Sequence, residues 1–314
     1  MAPSRMATRL VGPEEGVPAA AALLASGNVV ALPTETVYGL GAAALDAAAC
    51  ARIFEAKDRP LSDPLIVHLP AIDWLGRLAE APPAACALAD RFWPGPLTLV
   101  LRRRAVVPDI VTAGQETVAV RLSAHPVFQQ VLQTYGQPVA APSANRFGRI
   151  SPTCAAHVLD ELGGRIPLVL DGGPCRHGVE STIVLVRGNE LHILRHGPVT
   201  EEDLADFGDV RGAVPGISSP GGLASHYAPR TPLVIGPAAP APGMGLLAWR
   251  GDGEGFERVE FLSRTGDLRE AAANLYGALR RLDGVGLKGI VAEPLPGSGL
   301  GAAIMERLRK AAAR

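Results

Sequence analysis

Two stretches carry residues suited to anion chemistry. The first, residues 33–69, opens Pro33-Thr34-Glu35-Thr36-Val37-Tyr38-Gly39-Leu40 and continues through Lys57-Asp58-Arg59-Pro60-Leu61-Ser62-Asp63-Pro64 to His68. It follows Val29-Val30-Ala31-Leu32, an apolar run short enough for a buried strand. The two threonines and Glu35 therefore stand at a strand end, where open α/β sheets bind ligands. Pro60 and Pro64 fix φ and hold the neighbouring polar side chains in place. Lys57 is the sharpest detail, because the chain relies on Arg and has only Lys57, Lys288 and Lys310. An ammonium there suits point-charge work on an anion. The ordinary alternative is a solvated lysine in a turn.

The second stretch, Pro142-Ser143-Ala144-Asn145-Arg146-Phe147-Gly148-Arg149-Ile150-Ser151-Pro152-Thr153, offers hydroxyl, amide and guanidinium donors to phosphate oxygens. Its ordinary alternative is an N-cap, with Ser151 or Thr153 starting the next helix. Arg121 closes the apolar run Val118-Ala119-Val120 and, once buried, needs an anion, either a structural carboxylate or a ligand's. Arg195 poses the same question, and Glu180-Ser181-Thr182 reads as a turn or a ligand contact. Arg102-Arg103-Arg104 reads as a solvated strand end. No GxSxG elbow occurs and the histidines lack triad or metal spacing, which disfavours covalent Ser or Cys catalysis. No GxxxxGK[ST] occurs, which excludes an ordinary P-loop NTPase. Gly39-Leu40-Gly41 resembles part of a dinucleotide fingerprint but follows a polar loop, and it reads as a tight turn. Gly297-Ser298-Gly299-Leu300-Gly301 reads as a loop and helix start.

The elements that must position these residues alternate. Residues 1–13 read as a loose start. Helices are expected over 17–26, 46–56, 83–92, 126–134 and 153–162. Strands are expected over 64–69, 96–101, 118–122, 138–141 and 168–170, and a hairpin over 181–186 and 191–195. This argues for an α/β fold with a mixed, twisted sheet. Residues 208–232 have the Gly, Pro and Ser content of a linker, with His226-Tyr227-Ala228-Pro229 inside it. A smaller three-layer α/β unit follows, with strands over 246–249, 259–262 and 289–293 and helices over 267–282 and 300–313. The expected domains are thus 15–207, a linker or lid at 208–232, and 233–314.

The chain has 314 residues, 47% of them hydrophobic, and a formal net charge of −1. That supports a folded protein and gives no global basic field for nucleic acid or anionic membrane. Cys50, Cys86, Cys154 and Cys175 show no CxxC or zinc spacing and read as reduced thiols. No signal peptide and no run of roughly 20 apolar residues is seen, so a cytoplasmic location without a membrane span is expected.

Taken together, Lys57-Asp58-Arg59 as a KxR motif, Ser143-Ala144-Asn145 as an SxN motif, residues 33–40, Pro94-Gly95-Pro96-Leu97-Thr98 and Glu180-Ser181-Thr182 resemble the YrdC-like threonylcarbamoyl-AMP synthases. Ser219-Pro220-Gly221, His226-Tyr227-Ala228-Pro229 and the trailing unit resemble the long, two-domain form, with a Rossmann-like C-terminal domain. The resemblance implies a nucleotidyltransferase that condenses L-threonine, bicarbonate and ATP to threonylcarbamoyl-AMP and pyrophosphate. It implies magnesium with the ATP. Its product would feed threonylcarbamoyladenosine formation in tRNA beside the anticodon, with tRNA and a tRNA-modifying transferase complex as candidate partners. By position, Thr36, His68, Arg121, Ala141 and Ser181 would line a threonine pocket, with Arg121 on the carboxylate. Lys57, Arg59, Asp63, Thr117, Ser143, Asn145, Ser151, Arg195 and Tyr227 would surround ATP, with Lys57 and Arg59 as the catalytic cations. The family commonly has Met after Ser-Pro-Gly, whereas Gly222-Leu223 stands here. The competing readings are a double-stranded RNA- or tRNA-binding module without catalysis, disfavoured by the net charge, and a related carbamoyl-adenylate-forming enzyme.

Overall fold

A computed structural model describes residues 7–313 except 215, 218, 223, 224, 238, 239 and 251. Leu223, at the departure from the family's linker, lies outside the described residues.

Eleven short strands form the larger sheet. They are β1 (Arg9–Val11), β2 (Val30–Leu32), β3 (Gly39–Ala43), β4 (Ile66–His68), β5 (Leu97–Arg102), β6 (Thr117–Arg121), β7 (Val139–Ala140), β8 (Leu168–Leu170), β9 (Thr182–Arg187), β10 (Glu190–Arg195) and β11 (Asp209–Arg211). Their order is β1-β8-β2-β3-β7-β4-β6-β5-β9-β10-β11, with parallel and antiparallel pairs mixed. The helices that cover it include α1 (Pro13–Ala25), α2 (Ala47–Lys57), the short α3 (Leu75–Leu78), α4 (Pro83–Phe92), the short α5 (Asp109–Thr112), α6 (Pro126–Tyr135), α7 (Ala155–Leu162) and the short α8 (Glu201–Leu204). Most central strands are buried on both faces, which is why they read as continuous Val, Leu, Ile and Ala runs without alternation.

Four details set the site. The register aligns His68 with Arg121 at the same ends of the parallel strands β4 and β6. Because β10 runs antiparallel to β9, Arg195 at the end of β10 meets the start of β9, just after Ser181. Helix α2 is started by Asp46, whose side chain accepts from Ala48 N and Ala49 N, a strong N-cap. It stops at Asp58, whose φ of 53° reverses the chain so that Lys57 and Arg59 both turn inward.

Three expectations are corrected. Gly39–Ala43 is strand β3, not a turn, and pairs antiparallel with both β2 and β7. The two glycines serve close approach: a Cβ on Gly39 would lie 3.2 Å from Ala141 Cβ, and one on Gly41 would lie 3.0 Å from Val139 Cγ1. The described part of the expected loose start includes β1, parallel to β8. Helix α7 begins at Ala155 with no side-chain cap; Ser151 and Thr153 face other partners. The larger sheet thus includes β1, before residue 15, and β11, beyond 207.

The smaller sheet is fully parallel, in the order β12 (Leu233–Ile235), β15 (Gly289–Ala292), β13 (Met244–Ala248), β14 (Arg258–Phe261). Helices α9 (Leu268–Asp283) and α10 (Gly299–Ala312) pack on it and on each other. Their apolar faces do not close on that sheet alone. One buried cluster joins Leu275, Tyr276, Ile304 and Leu308 with Val37, Ile150, Val179 and Tyr227 from the rest of the chain. Among the described residues no helix is long and apolar enough to cross a membrane.

Candidate active site

A cavity opens where these strand ends converge. It is lined by Thr34, Thr36, Arg59, His68, Arg121, Ala141, Ser143, Glu180, Ser181 and Arg195, and is roofed by Pro220, Gly221, His226 and Tyr227 of the linker. Thr34 shapes the entry loop: its hydroxyl accepts from Thr36 N and Val37 N and donates to Val37 O, a side-chain-built turn.

On one side, Arg121 is buried and fully oriented. Its Nη2 donates to Glu35 Oε1 at 2.7 Å, Nη1 to Thr36 Oγ1 at 3.0 Å, and Nε to Gly95 O at 3.1 Å. Glu35 also accepts from Ser123 Oγ. Burial alone would raise the Glu35 carboxyl, but Arg121 and Ser123 outweigh it and bring it down to about 2. Of the two anions left open for Arg121, a structural carboxylate is present, Glu35. Beside it, burial and the Arg121 charge push His68 down to about 3, so its ring is neutral; among the described residues its Nδ1 has no hydrogen-bond partner. Ser181 Oγ shares a hydrogen bond with Thr98 Oγ1 at 2.8 Å.

On the other side, cations predominate. Arg59 pairs with Asp63 at 3.0 Å and donates to Asp63 O and Pro64 O. Arg195 donates to Ser181 O, Ser181 Oγ and Pro220 O. No described carboxylate lies within ion-pair distance of it. Lys57 is 1% exposed, which rules out the solvated-turn alternative. Its Nζ donates to Ser143 O at 2.6 Å and to Asn145 O, and among the described residues no acid pairs with it. Burial first, then the Arg59 charge, lowers its pKa well below the ordinary lysine value. Asn145 in turn donates to Arg146 O and Arg149 O, while its Oδ1 has no hydrogen-bond partner among the described residues. Lys57 therefore ties down the loop whose Ser143 lines the cavity. Among the described residues the buried basic side chains around the cavity are Lys57, Arg59, Arg121, Arg195 and Arg307, and the buried acids are Glu35, Asp63 and Glu180. Burial disfavours the charged form of Lys57, so four arginines face three acids, and Arg195 is left with a demand for an anion.

Of the residues singled out from sequence, Thr36, Arg59, His68, Arg121, Ala141, Ser143, Ser181, Arg195 and Tyr227 line this cavity. Lys57, Asp63, Asn145 and Ser151 are buried behind it. Thr117 is at the opposite end of β6 from Arg121 and lines a second, smaller cavity with Leu65, Val111 and Pro220. Pro220 is common to both.

Sequence reasoning passed over Glu180's partners. Its carboxylate accepts from Ser151 Oγ at 2.6 Å, Tyr276 Oη at 2.9 Å and Arg307 Nε at 2.8 Å. Burial would raise this acid, but Arg307 and Arg195 bring it to about 2. A signal was available: Arg307 falls in the apolar stripe Ile304, Leu308, Ala311 of α10, where an arginine needs a buried acceptor.

The family model Sua5_yciO_yrdC, described as telomere recombination, matches residues 22–197. The model for the threonylcarbamoyl-AMP synthase C-terminal domain matches residues 199–313. The chain belongs to the threonylcarbamoyl-AMP synthase family. A relative of that name from Pyrococcus abyssi is 41% identical over 319 residues, spanning 93% of this chain and 92% of the relative. One from Bacillus subtilis is 42% identical over the same shares of both chains. A crystal structure of P. abyssi Sua5 complexed with L-threonine superposes with a TM-score of 0.89 at 38% identity, covering 97% of this chain and 98% of that one. Both domains of this synthase family member, and the linker between them, thus have counterparts of matching extent.

Proposed function

We propose that this chain condenses L-threonine, bicarbonate and ATP into threonylcarbamoyl-AMP and pyrophosphate, for threonylcarbamoyladenosine formation in tRNA. The observation that carries the reading is the surplus of buried positive charge beside a compact pocket of Arg121, Thr36 and His68. The first suits a triphosphate and the second a small amino acid. Arg121 has five N–H donors, and the bonds to Glu35, Thr36 and Gly95 leave two for a carboxylate. Neutral His68 and Ser181 suit the threonine hydroxyl and amine.

The threonine amine and bicarbonate form a carbamate with loss of water. A carbamate oxygen then attacks the α-phosphorus, and pyrophosphate leaves. No enzyme nucleophile is needed. Arg59, Arg195 and Ser143 are placed to stabilise the charge that builds on the phosphate oxygens. Lys57 positions Ser143 and Asn145 for that task. The linker roof excludes water from a hydrolysable mixed anhydride. Thr117 would be reached if the nucleotide extends past Pro220 into the second cavity, which requires the linker to move. No three acidic, His or Cys groups gather to hold a metal among the described residues, and Glu35, Asp63 and Glu180 are each bound to an arginine. This donor set suits magnesium coordinated by ATP's own oxygens and water.

Pyrophosphate release from ATP with magnesium, assayed with and without L-threonine and bicarbonate, tests the reading. Release that needs both and is lost in Lys57→Ala supports it. Turnover indifferent to threonine would remove the amino-acid assignment.

A further inference from the structure

Tyr227 sits on the linker with φ of 62°, a left-handed conformation that a tyrosine adopts only when its surroundings compel it. The C-terminal domain holds its ring on one side. The Arg307 guanidinium lies 5.4 Å from the centre of the Tyr227 ring, and the Tyr276 ring stacks at 5.8 Å and 28°. Both of these side chains also donate to Glu180, which lines the cavity. Arg307 is completely buried, and among the described residues neither of its Nη atoms makes a hydrogen bond; Nη1 lies 3.5 Å from Glu306 Oε2. Among the described residues its guanidinium makes one hydrogen bond, to Glu180, and lies over the Tyr227 ring. One turn on, Lys310 Nζ donates to Gly221 O at 2.7 Å, and His226 N donates to Lys310 O. A single face of α10 therefore grips the roof of the cavity at Gly221, His226 and Tyr227. The first domain holds the linker on either side, at Pro220 through Arg195 and at Ala228 through Gly148.

We propose that Arg307 is a positioning residue of the synthase reaction, supplied by the C-terminal domain, which sets Tyr227 and Glu180 together so that the roof closes over the nucleotide only while α10 is docked. The proposal rests on the synthase reading above. Charge pairing with Glu180 alone is the competing explanation, and a double-mutant cycle separates the two. Arg307→Met keeps the stem and removes the guanidinium. Glu180→Gln neutralises the partner, and the double variant removes both charges of this pair.

The experiment compares these variants by steady-state kinetics, by the fraction of consumed ATP recovered as intact adenylate product, and by amide exchange over residues 219–228. In Arg307→Met, kcat should fall about tenfold or more while the KM for threonine stays within about twofold. Less product should be recovered intact, and the linker amides should exchange faster. The double variant should remain below Glu180→Gln alone in intact product, although its melting temperature recovers. A double variant equal to Glu180→Gln, with linker exchange unchanged, would overturn the proposal. Should Arg307→Met not fold, Lys310→Met tests the same grip through Gly221, and unchanged linker exchange there would count equally against it. Exchange is read without turnover. A wild-type protein lacking threonine-dependent pyrophosphate release therefore defeats the synthase reading without obscuring whether α10 holds the linker.

Discussion

Arg121 divides its guanidinium between a permanent partner and a cavity. Glu35 and Thr36 orient it, and the donors left over form a fork of fixed direction. Lysine would keep the charge and lose the fork. Arg121→Lys should therefore raise the threonine KM by about tenfold or more, equivalent to about 1.4 kcal/mol, and leave the ATP KM within about twofold in steady-state assays. The buried histidines supply a second prediction. His68 and His226 are held at about 3 in the folded protein, against 6.5 for the free group, first by burial. Between those values the unfolded chain binds a proton that the native one does not. Stability should thus fall as pH drops below 6.5, by up to about 1.4 kcal/mol per pH unit for each histidine. Glu35 and Glu180, held at about 2, add to the loss only below 4.5. Urea midpoints at pH 7, 6 and 5 read this slope apart from the contribution of Glu35 and Glu180, and His68→Gln should flatten it.

The elements most legible in the sequence are those whose pattern is local. α2, α4 and α6 lie within a residue of their expected limits because a cap, a proline or a glycine marks each end. β3 was not legible. Glycine signals a turn locally, whereas here it admits two neighbouring strands and their side chains. β1 is three residues long and pairs with a strand far along the chain. The same limit applies at the site. Lys57, Arg59, Ser143 and Arg195 could be nominated from type and spacing, but the pairing of Glu180 with Arg307 joins elements from different domains. At the linker, Gly221 has φ of 76°, and an added Cβ would stand 2.4 Å from Tyr227 Oη. Gly221→Ala should displace Tyr227 and lower synthase activity by about tenfold, with melting changed by only a few degrees, because the strain falls on the linker and not the core. Activity and calorimetry on one preparation check this.

For the molecule as a whole, the two domains share a core. Val37, Ile150 and Val179 are buried in the same cluster as Leu275, Tyr276 and Leu308, and Gly178 approaches α9 so closely that a Cβ would lie 2.4 Å from Ala272 O. Removing residues 208–314 should therefore do more than lift a lid. It would expose that cluster and leave Glu180 with Ser151 alone, and the truncated protein should aggregate or melt well below the full chain in light-scattering and calorimetric measurements. The buried cations have a further consequence, in how the site meets its ligand from a distance. Arg59, Arg121 and Arg195 are enclosed by protein, and the chain's net charge is −1. Their field is felt at contact, where salt screens it little, and hardly beyond a Debye length of about 8 Å at physiological ionic strength. Nucleotide capture by such a site is set by ordinary diffusion and by the opening of the linker, not by long-range attraction, so its rate should depend only weakly on ionic strength.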